Sequence, residues 1–290
     1  MFRYDLSVAG VRLRLMSQQQ FPSDTSFTPF LVQNMAEPQY LVEYRLVQQL
    51  PPIPPKVLYE GQCDRFHASD NGAWVRSFFD APHSKEPYAV GRYDYQNGRI
   101  TIAYLEQGKH CVSEFSNSFF HLGLERLMMQ EHKFCFHAAL IRSHLGSILF
   151  SGPSGIGKST QADLWCKYRD SVLLNGDRPI IGKDHGVWTG WGSPYAGSSR
   201  CHVNESCPIA AVVLLKQAPQ CSIRRLELRE GVRRIYAGLT VYSWEAAFSA
   251  AAFDFALEMA SELPVYELSC TPDAAAVEIL EQTLRKELRP

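Results

Sequence analysis

A nine-residue run rich in glycine and hydroxyl side chains has the spacing of a phosphate-binding loop. The run Gly152-Pro-Ser-Gly-Ile-Gly-Lys-Ser-Thr160 fits the pattern GxxxxGK followed by Ser or Thr. Such a loop turns successive backbone N–H groups inward, and glycine permits both the tight backbone and the close approach of an anion. Because the patterns of a buried strand (147–150) and a helix (160–168) flank the run, we favour nucleotide binding over an ordinary glycine-rich turn.

Each part of the run has a separate expected role toward ATP. Lys158 would bridge the β and γ phosphates as a point charge, and the Ser159 hydroxyl would complete the coordination of Mg²⁺. The helix that follows adds the positive end of its dipole. The residues expected to contact the nucleotide are Gly152, Pro153, Ser154, Gly155, Ile156, Gly157, Lys158, Ser159 and Thr160.

Phosphoryl transfer also needs an acid near the phosphates that binds metal or removes the proton of the acceptor. Asp177 follows a predicted strand (171–174) and the turn Asn175-Gly176, nineteen residues after Lys158. That separation leaves room for one helix and a return strand. We therefore predict that Asp177 is a metal ligand, together with Ser159, or a general base. The alternative is a solvated aspartate in a turn.

The residues around this loop resemble the HPr kinase/phosphorylase family, a P-loop fold related to phosphoenolpyruvate carboxykinase. In that family a His on a strand precedes a hairpin and a GxSGxGKS loop. Here His137 precedes Gly152 through such a hairpin, and the loop reads GPSGIGKS. The resemblance covers residues 134–215 well, the helical tail only loosely, and not the first 130 residues. It implies that His137, Lys158 and Asp177 are catalytic, although a lone His in an apolar strand is otherwise usually a hydrogen-bonded core residue.

One departure from the family leaves the division of roles open. The family has a pair of aspartates that share metal binding and proton abstraction, whereas here Gly176 looks like one of the two positions and Asp177, followed by Arg178, occupies the other. Either Asp177 does both jobs, or His137 or another group supplies the base, or the chain binds nucleotide without transferring phosphate.

Three further polar segments could belong to an acceptor site. The segment Gly192 to Arg200 looks like the substrate-side loop of HPr-kinase-like proteins, and its alternative is an ordinary surface turn with a hydrated arginine. The pairs Arg224-Arg225 and Arg233-Arg234 are more simply explained as exposed residues in salt bridges, although Arg224 could reach a transferred phosphoryl group. They are not included in the predicted site.

The elements that would position these residues fall into two regions. Residues 1–130 are β-rich, with period-two alternation at Tyr4 to Leu15 and Tyr40 to Leu46 and a hairpin turn at Gln96-Asn97-Gly98. We predict that this domain recognises the acceptor. Residues 131–290 alternate strands and helices. The other predicted elements are the connector Pro51 to Pro55, strands at 57–59, 73–79, 88–95, 99–105, 134–142 and 210–216, and helices at 119–128, 244–262 and 272–288.

Composition excludes several classes of partner. Among the 290 residues, Lys and Arg number 29 and Asp and Glu 30, so the net charge of -1 gives no case for nucleic acid or an acidic membrane. The sequence shows neither a secretion signal nor a span long enough for a bilayer, and we expect a cytoplasmic protein. The eight cysteines form no CxxC pair, so we expect reduced thiols and no zinc site.

The sequence thus predicts an α/β fold in which a P-loop domain of the HPr kinase/PEP carboxykinase type follows a β-rich region. The favoured activity is a kinase that uses ATP and Mg²⁺ to phosphorylate a hydroxyl of a protein, peptide or small molecule. The alternative is an ATP-binding regulatory module with little or no transfer. A plain ATPase or GTPase ranks last, because neither Asp-x-x-Gly nor Asn-Lys-x-Asp occurs convincingly. The sequence does not identify the acceptor, and it is compatible with a homo-oligomer.

Overall fold

The computed structural model describes residues 1–21, 26–68, 74–113 and 115–287. It divides the chain into two compact units, Met1–Gln130 and Glu131–Pro290, called here the N-terminal unit and the C-terminal unit. Ala73 and Leu288, which begin a predicted strand and end a predicted helix, lie outside the described residues. Among the described residues, no helix combines the length and the apolar character needed to cross a bilayer.

The described part of the N-terminal unit contains one eight-stranded sheet in the order β1-β2-β3-β8-β7-β6-β5-β4. Its neighbouring strands are antiparallel except for β3, which runs parallel to both β2 and β8. The alternation of the sequence is explained by burial on one face, as in β2, where Val11, Leu13 and Leu15 are buried. The strands are β1 Phe2–Val8, β2 Val11–Ser17, β3 Tyr40–Leu46, β4 Val57–Glu60, β5 Asp64–His67, β6 Trp74–Phe78, β7 Ala89–Asp94 and β8 Arg99–Tyr104.

Two predictions for the N-terminal unit need correction. The segment Tyr4 to Leu15 is a hairpin rather than one strand, because Ala9 and Gly10 turn the chain at φ of 49° and 78°. The alternation changes phase at this turn, from Leu6 and Val8 to Val11 and Leu13. The predicted helix at 119–128 is two short helices, α2 Phe115–Leu122 and α3 Leu124–Gln130, and a further short helix, α1 Lys109–Ser113, precedes them. Gly123, at φ 60°, separates α2 from α3.

The described part of the C-terminal unit contains a nine-stranded sheet built around β15. Seven strands follow one another in the order β12-β10-β11-β15-β14-β13-β9, and β17 pairs with both β15 and β16. The mixed α/β class predicted from the sequence is confirmed. The strands are β9 Phe134–Cys135, β10 Ala138–Ser143, β11 Gly146–Ser151, β12 Val172–Asn175, β13 Ile180–Asp184, β14 Val187–Trp191, β15 Ser206–Gln217, β16 Ser222–Arg225 and β17 Val265–Cys270.

The helices of this unit are α4 Lys158–Arg169, α5 Leu228–Gly238, α6 Ala246–Glu262 and α7 Ala274–Glu287. Helices α4 and α7 cover one face of the sheet, where Trp165 and Leu280 pack in a core cluster with Phe150 and Val213. Gln161, Ala162 and Trp165 are buried at helical spacing, which explains why α4 lies along the sheet. Strand β11 pairs with β10 on one side and β15 on the other, and residues 152–157 connect it to α4.

The predicted strand from Phe134 to Arg142 is also wrong as one element. Strands β9 and β10 are separate, and Phe136 and His137 lie between them. The backbone N–H of Phe136 donates to the Pro179 carbonyl, and that of His137 to the Gly238 carbonyl. His137 is thus outside a strand, held by a distant segment that a local pattern does not reveal. The hairpin β13–β14, helix α5 and strand β17 were not predicted.

Candidate functional site

The loop between β11 and α4, defined here as Gly152 to Gly157 and called the glycine loop, has an unusual backbone. Gly152, Gly155 and Gly157 have φ of 147°, 77° and 109°, values that side chains rarely tolerate. A Cβ at Gly155 or Gly157 would meet nothing within 4 Å, so open space surrounds both positions. Glycine is needed there for the backbone conformation rather than for room. The loop is therefore an open cradle.

Helix α4 begins directly at this cradle. Its N-cap is Gly157, which makes no side-chain capping hydrogen bond. The first N–H groups of a helix lack intrahelical partners, and they carry the positive end of its dipole. Ser159 and Thr160, in the first turn, are exposed. The arrangement presents backbone donors and two hydroxyl groups to an anion.

Lys158 folds back over the start of the loop. Its Nζ donates to the carbonyl oxygens of Gly152 and Pro153, both at 3.3 Å. Burial lowers the pKa of Lys158, while the nearby Asp177 carboxylate opposes that shift. The ammonium group is therefore directed toward the beginning of the glycine loop and not along α4.

Asp177 is positioned by a fully buried amide at the end of β12. Asn175 Oδ1 accepts hydrogen bonds from the backbone N–H of Asp177 at 3.0 Å and of Arg178 at 2.8 Å. Asn175 Nδ2 donates to the carbonyl oxygens of Tyr195 and Ser193. This Asx-type turn fixes the backbone of residues 176–178 and leaves the Asp177 side chain about one third exposed, at 32%.

Two potential cations lie beside the Asp177 carboxylate. His137 Nε2 is 3.7 Å from Oδ1, and Arg178 Nε is 3.6 Å from Oδ2. Arg178 is also anchored, since its Nη1 donates to Thr240 Oγ1 at 2.8 Å. Burial and then the charge of Lys158 lower the pKa of His137, with a smaller contribution from Arg178, whereas Asp177 raises it. His137 is thereby favoured in its neutral form.

Backbone hydrogen bonds join His137 and Asp177 to the strand before the glycine loop. The N–H of Ala138 donates to the Asp177 carbonyl at 3.0 Å. Ser151 Oγ, at the end of β11, donates to the His137 carbonyl at 2.9 Å. The structure thus brings together the three residues predicted to be catalytic, which come from three separate segments. Their catalytic roles stay predictions.

The predicted substrate-side loop lies against Asp177. A Cβ added to Gly197 would come within 2.8 Å of Asp177 Cβ, and one added to Gly176 would come within 2.4 Å of Ser199 Oγ. Position 176, which looks like that of the missing second acid, therefore has no room for a side chain while Ser199 is in place. Arg200 is exposed at the end of this turn. Whether the loop contacts a substrate stays a prediction.

The arginine pairs have different surroundings. Arg224 forms ion pairs with Glu230 at 2.9 Å and Glu267 at 3.1 Å, in agreement with the salt-bridge interpretation. Arg225 pairs with Glu287 at 3.2 Å. Arg233 is exposed. Arg234 faces Glu267 Oε2 at 3.6 Å.

Two cavities flank the glycine loop. One, called the α5 cavity, has a volume of about 540 Å³ and is lined by His137, Gly152, Lys216, Arg234 and Glu267 among others. The other, called the α4 cavity, has about 530 Å³ and lies at the start of α4. Its lining includes Gly157, Thr160, Gln161, Gln217, Cys270 and Thr271. The loop therefore has space for ligand groups on both sides.

The donor set predicted for a metal consists of oxygen atoms. The Ser159 hydroxyl and the Asp177 carboxylate suit Mg²⁺, which binds few protein oxygens and keeps water and phosphate ligands. The described residues contain no cluster of three or more His, Cys, Asp or Glu side chains that could hold a metal without help. The residues present thus fit Mg²⁺ that arrives with a polyphosphate.

Sequence reasoning missed the supporting residues of this site. Asn175 was interpreted only as half of an Asn-Gly turn, although Asn before a turn is a recognised donor and acceptor for the backbone that follows. Ser193 Oγ, which donates to the Arg178 carbonyl at 2.5 Å, and Glu267 had no local signal. Their roles depend on segments that are distant in the sequence.

Comparisons with known proteins give little further guidance. No protein-family model matches the chain, and no curated protein matches it. Among solved structures, the HPr(Ser) kinase/phosphatase from Coxiella burnetii is similar, with a TM-score of 0.31 and 13% sequence identity over 53% of this chain and 88% of that chain. A likeness of this strength supports no argument about the activity.

Proposed function

We propose that the chain is an ATP-dependent phosphotransferase whose acceptor is a hydroxyl group. The observation that carries the proposal is the glycine loop. Three glycines have positive φ, two of them, Gly155 and Gly157, face open space before a helix start without a side-chain cap, and Lys158 lies over the loop. Backbone donors, helix dipole and ammonium group together form the arrangement that binds a polyphosphate.

The direction of the Lys158 side chain indicates how the nucleotide would be oriented along the glycine loop. A lysine at this place contacts the β and γ phosphates, and here its Nζ points to the start of the loop at Gly152 and Pro153. The γ-phosphate then lies on the side of the α5 cavity, which also contains His137. The nucleoside extends past Thr160 into the α4 cavity. Acceptor and nucleoside would thus occupy opposite sides of the loop.

Ser159 and Asp177 would hold Mg²⁺, which supplies positive charge to the phosphate oxygens. The acceptor oxygen attacks the γ-phosphorus, the bond from that phosphorus to the β,γ-bridging oxygen breaks, and ADP leaves. Asp177 accepts the hydroxyl proton, with His137 Nε2 3.7 Å away. Because Ser199 fills the space beside Gly176, we assign both metal binding and proton removal to Asp177.

Calorimetry with MgATP tests the nucleotide site. We expect saturable binding by the wild type and a loss of about 10- to 10²-fold in affinity for Lys158→Ala, which corresponds to the roughly 1.5–3 kcal/mol of a hydrogen bond to a charged group. Lys167→Ala, on the exposed face of the same helix, is the matched control and should bind as the wild type. The proposal fails if the folded wild type has no affinity for any nucleoside triphosphate with magnesium present.

A regulatory module that binds ATP without transfer is the second candidate, favoured by the single acid at Gly176-Asp177. An acceptor screen with γ-labelled ATP and cell extracts separates the two. Under the kinase proposal, label appears on an acceptor with the wild type and not with Asp177→Asn. Bound nucleotide without labelled acceptor in any extract would favour the regulatory module.

A further inference from the structure

The α5 cavity has an excess of positive charge that the nucleotide does not explain. Its lining contains the cations Lys216 and Arg234 and one carboxylate, Glu267. That carboxylate already accepts a hydrogen bond from Arg224 Nε at 3.2 Å, and a second ion pair joins it to Arg224 Nη2 at 3.1 Å. One negative charge is therefore shared among several cations.

Arg234 is the cation best placed to bind a ligand. Within the described part of the chain its guanidinium makes no hydrogen bond, and its ion pair with Glu267 is 3.6 Å long, beyond hydrogen-bond geometry. Its side chain is 29% exposed. A guanidinium with unoccupied donors matches a carboxylate in a bidentate geometry.

The other side of this cavity is the reaction centre. His137, Ser151 and Gly152 line it there, and Asp177 is 3.7 Å from His137. Asp177 is not itself a lining residue. A molecule that fills the cavity can therefore present one group to the His137 side, next to Asp177, and another to Arg234. A volume of about 540 Å³ suits a small molecule rather than a folded surface.

We propose that the acceptor is a small hydroxy acid, bound in the α5 cavity with its carboxylate on Arg234 and its hydroxyl toward Asp177. This proposal rests on the proposed function and adds the class of substrate. The hydroxyl oxygen forms a bond to the γ-phosphorus of ATP, the bond to the β,γ-bridging oxygen breaks, and the proton passes to Asp177. The products are ADP and a phosphorylated hydroxy acid.

Nuclear magnetic resonance titration of the 15N-labelled protein tests the binding site directly. The probes are D-glycerate, L-lactate, L-serine and L-malate, with glycerol and propane-1,2-diol as partners that lack the carboxylate. We expect at least one acid to bind saturably and to shift the Arg234 Nε–Hε signal. These two uncharged alcohols should bind at least about 10-fold more weakly, since they lack the charge-assisted contact.

Variants in helix α5 test whether the acid binds to Arg234 or is attracted by the positive charge of the surface in general. Arg234→Ala should weaken binding of the acid at least about 10-fold, and Arg234→Lys, which keeps the charge but not the planar fork, should fall between. Arg233→Ala removes an exposed neighbour on the same helix and should bind as the wild type. The proposal is overturned if no acid binds or if Arg234→Ala binds the acid unchanged.

MgATP affinity measured on the same samples distinguishes the two proposals. Arg234→Ala with unchanged MgATP affinity supports the acceptor site, whereas an equal loss of MgATP affinity would assign Arg234 to the nucleotide and overturn it. If the wild type binds the acid but no nucleotide, the anion site stands and the proposed phosphotransferase fails. Transfer of label from γ-labelled ATP to the bound acid is the final expected result.

Discussion

The charged residues around Asp64 in the N-terminal unit and around Asp177 in the C-terminal unit are arranged in opposite ways. In the N-terminal unit, Arg76 donates to Asp64 at 2.7 Å, and both side chains are over nine-tenths buried. The Arg76 guanidinium also lies over the Phe120 ring at 4.2 Å. In the C-terminal unit, His137 Nε2 and Arg178 Nε lie 3.7 and 3.6 Å from the Asp177 carboxylate, and all three side chains are about one third exposed. Closed pairs are a mark of structure, and open groups beside a cavity are a mark of ligand binding.

The same contrast holds for two histidines. His121 in the N-terminal unit is fully buried, with Nε2 2.7 Å from the Tyr88 hydroxyl, and burial lowers its pKa to about 3. His137 in the C-terminal unit keeps 36% of its side chain exposed. Perturbed groups occur in both units, so a shifted pKa alone does not identify a site.

The largest expected effect is on chemistry at Asp177. We expect Asp177→Asn to lower phosphoryl transfer by about 10²–10⁴-fold, the range for loss of a general base, because the amide neither accepts the proton nor binds Mg²⁺ well. Unfolding temperature should stay near the wild type, since the carboxylate makes no close structural pair. Labelled transfer and thermal denaturation measure the two quantities. Asp184→Asn, in the β13–β14 hairpin, is the control that should keep full transfer.

A substitution at Asp64 should instead lower stability and leave the binding of MgATP unchanged. Asp64→Asn leaves Arg76 buried without its charge partner, and removing one member of a buried pair costs about 3–5 kcal/mol. Urea denaturation monitored in the N-terminal unit should show this loss, while MgATP affinity should persist. Glu60→Gln breaks the exposed pair with Arg65 and should cost less than about 1 kcal/mol. Equal losses of stability for the two variants would show that the burial of the Arg76–Asp64 pair does not set its contribution.

The sequence predicted the parts of the site that depend on neighbouring residues. The strand–loop–helix around Lys158 follows from local glycines and from burial at helical spacing, and the place of Asp177 follows from chain length. His137 lies between β9 and β10 because its backbone N–H donates to the carbonyl of Gly238, about a hundred residues away. The hydrophobic periodicity of a local segment does not reveal such a contact. The sequence did not predict helix α5 because Arg233 and Arg234 looked like a charged cluster, although Val232 and Ile235, on either side of this pair, are buried.

A smaller effect is expected from pH on the N-terminal unit. The folded pKa of His121 is below its unfolded value of 6.5, so the unfolded chain binds the proton more tightly. The stabilisation is therefore complete above pH 6.5 and is lost as the pH falls toward 3. Each pH unit in this window costs about 1.4 kcal/mol, or about 2 kcal/mol between pH 6.5 and 5.

Urea denaturation at several pH values measures this loss. His121→Gln, which keeps an acceptor for Tyr88 but does not titrate, should flatten the dependence between pH 6.5 and 5. His185→Gln, at a side chain that is 97% exposed, should leave the wild-type slope unchanged. An unaltered slope in His121→Gln would show that other groups cause the acid sensitivity.

The smallest effect concerns the contact that excludes a second acid. A Cβ at Gly176 would be 2.4 Å from Ser199 Oγ and 2.5 Å from Ser199 Cβ, and Ser199 is itself held by its hydrogen bond to the Ala196 carbonyl. Gly176→Ala should therefore destabilise the C-terminal unit by about 1 kcal/mol, at the low end for overpacking. If the clash is the cause, Ser199→Gly should restore the loss in the double variant, as a positive coupling in a double-mutant cycle. Additive effects would mean instead that the backbone conformation at position 176 requires glycine. The turn at 197–199 would then not be what prevents a second acidic side chain at that position.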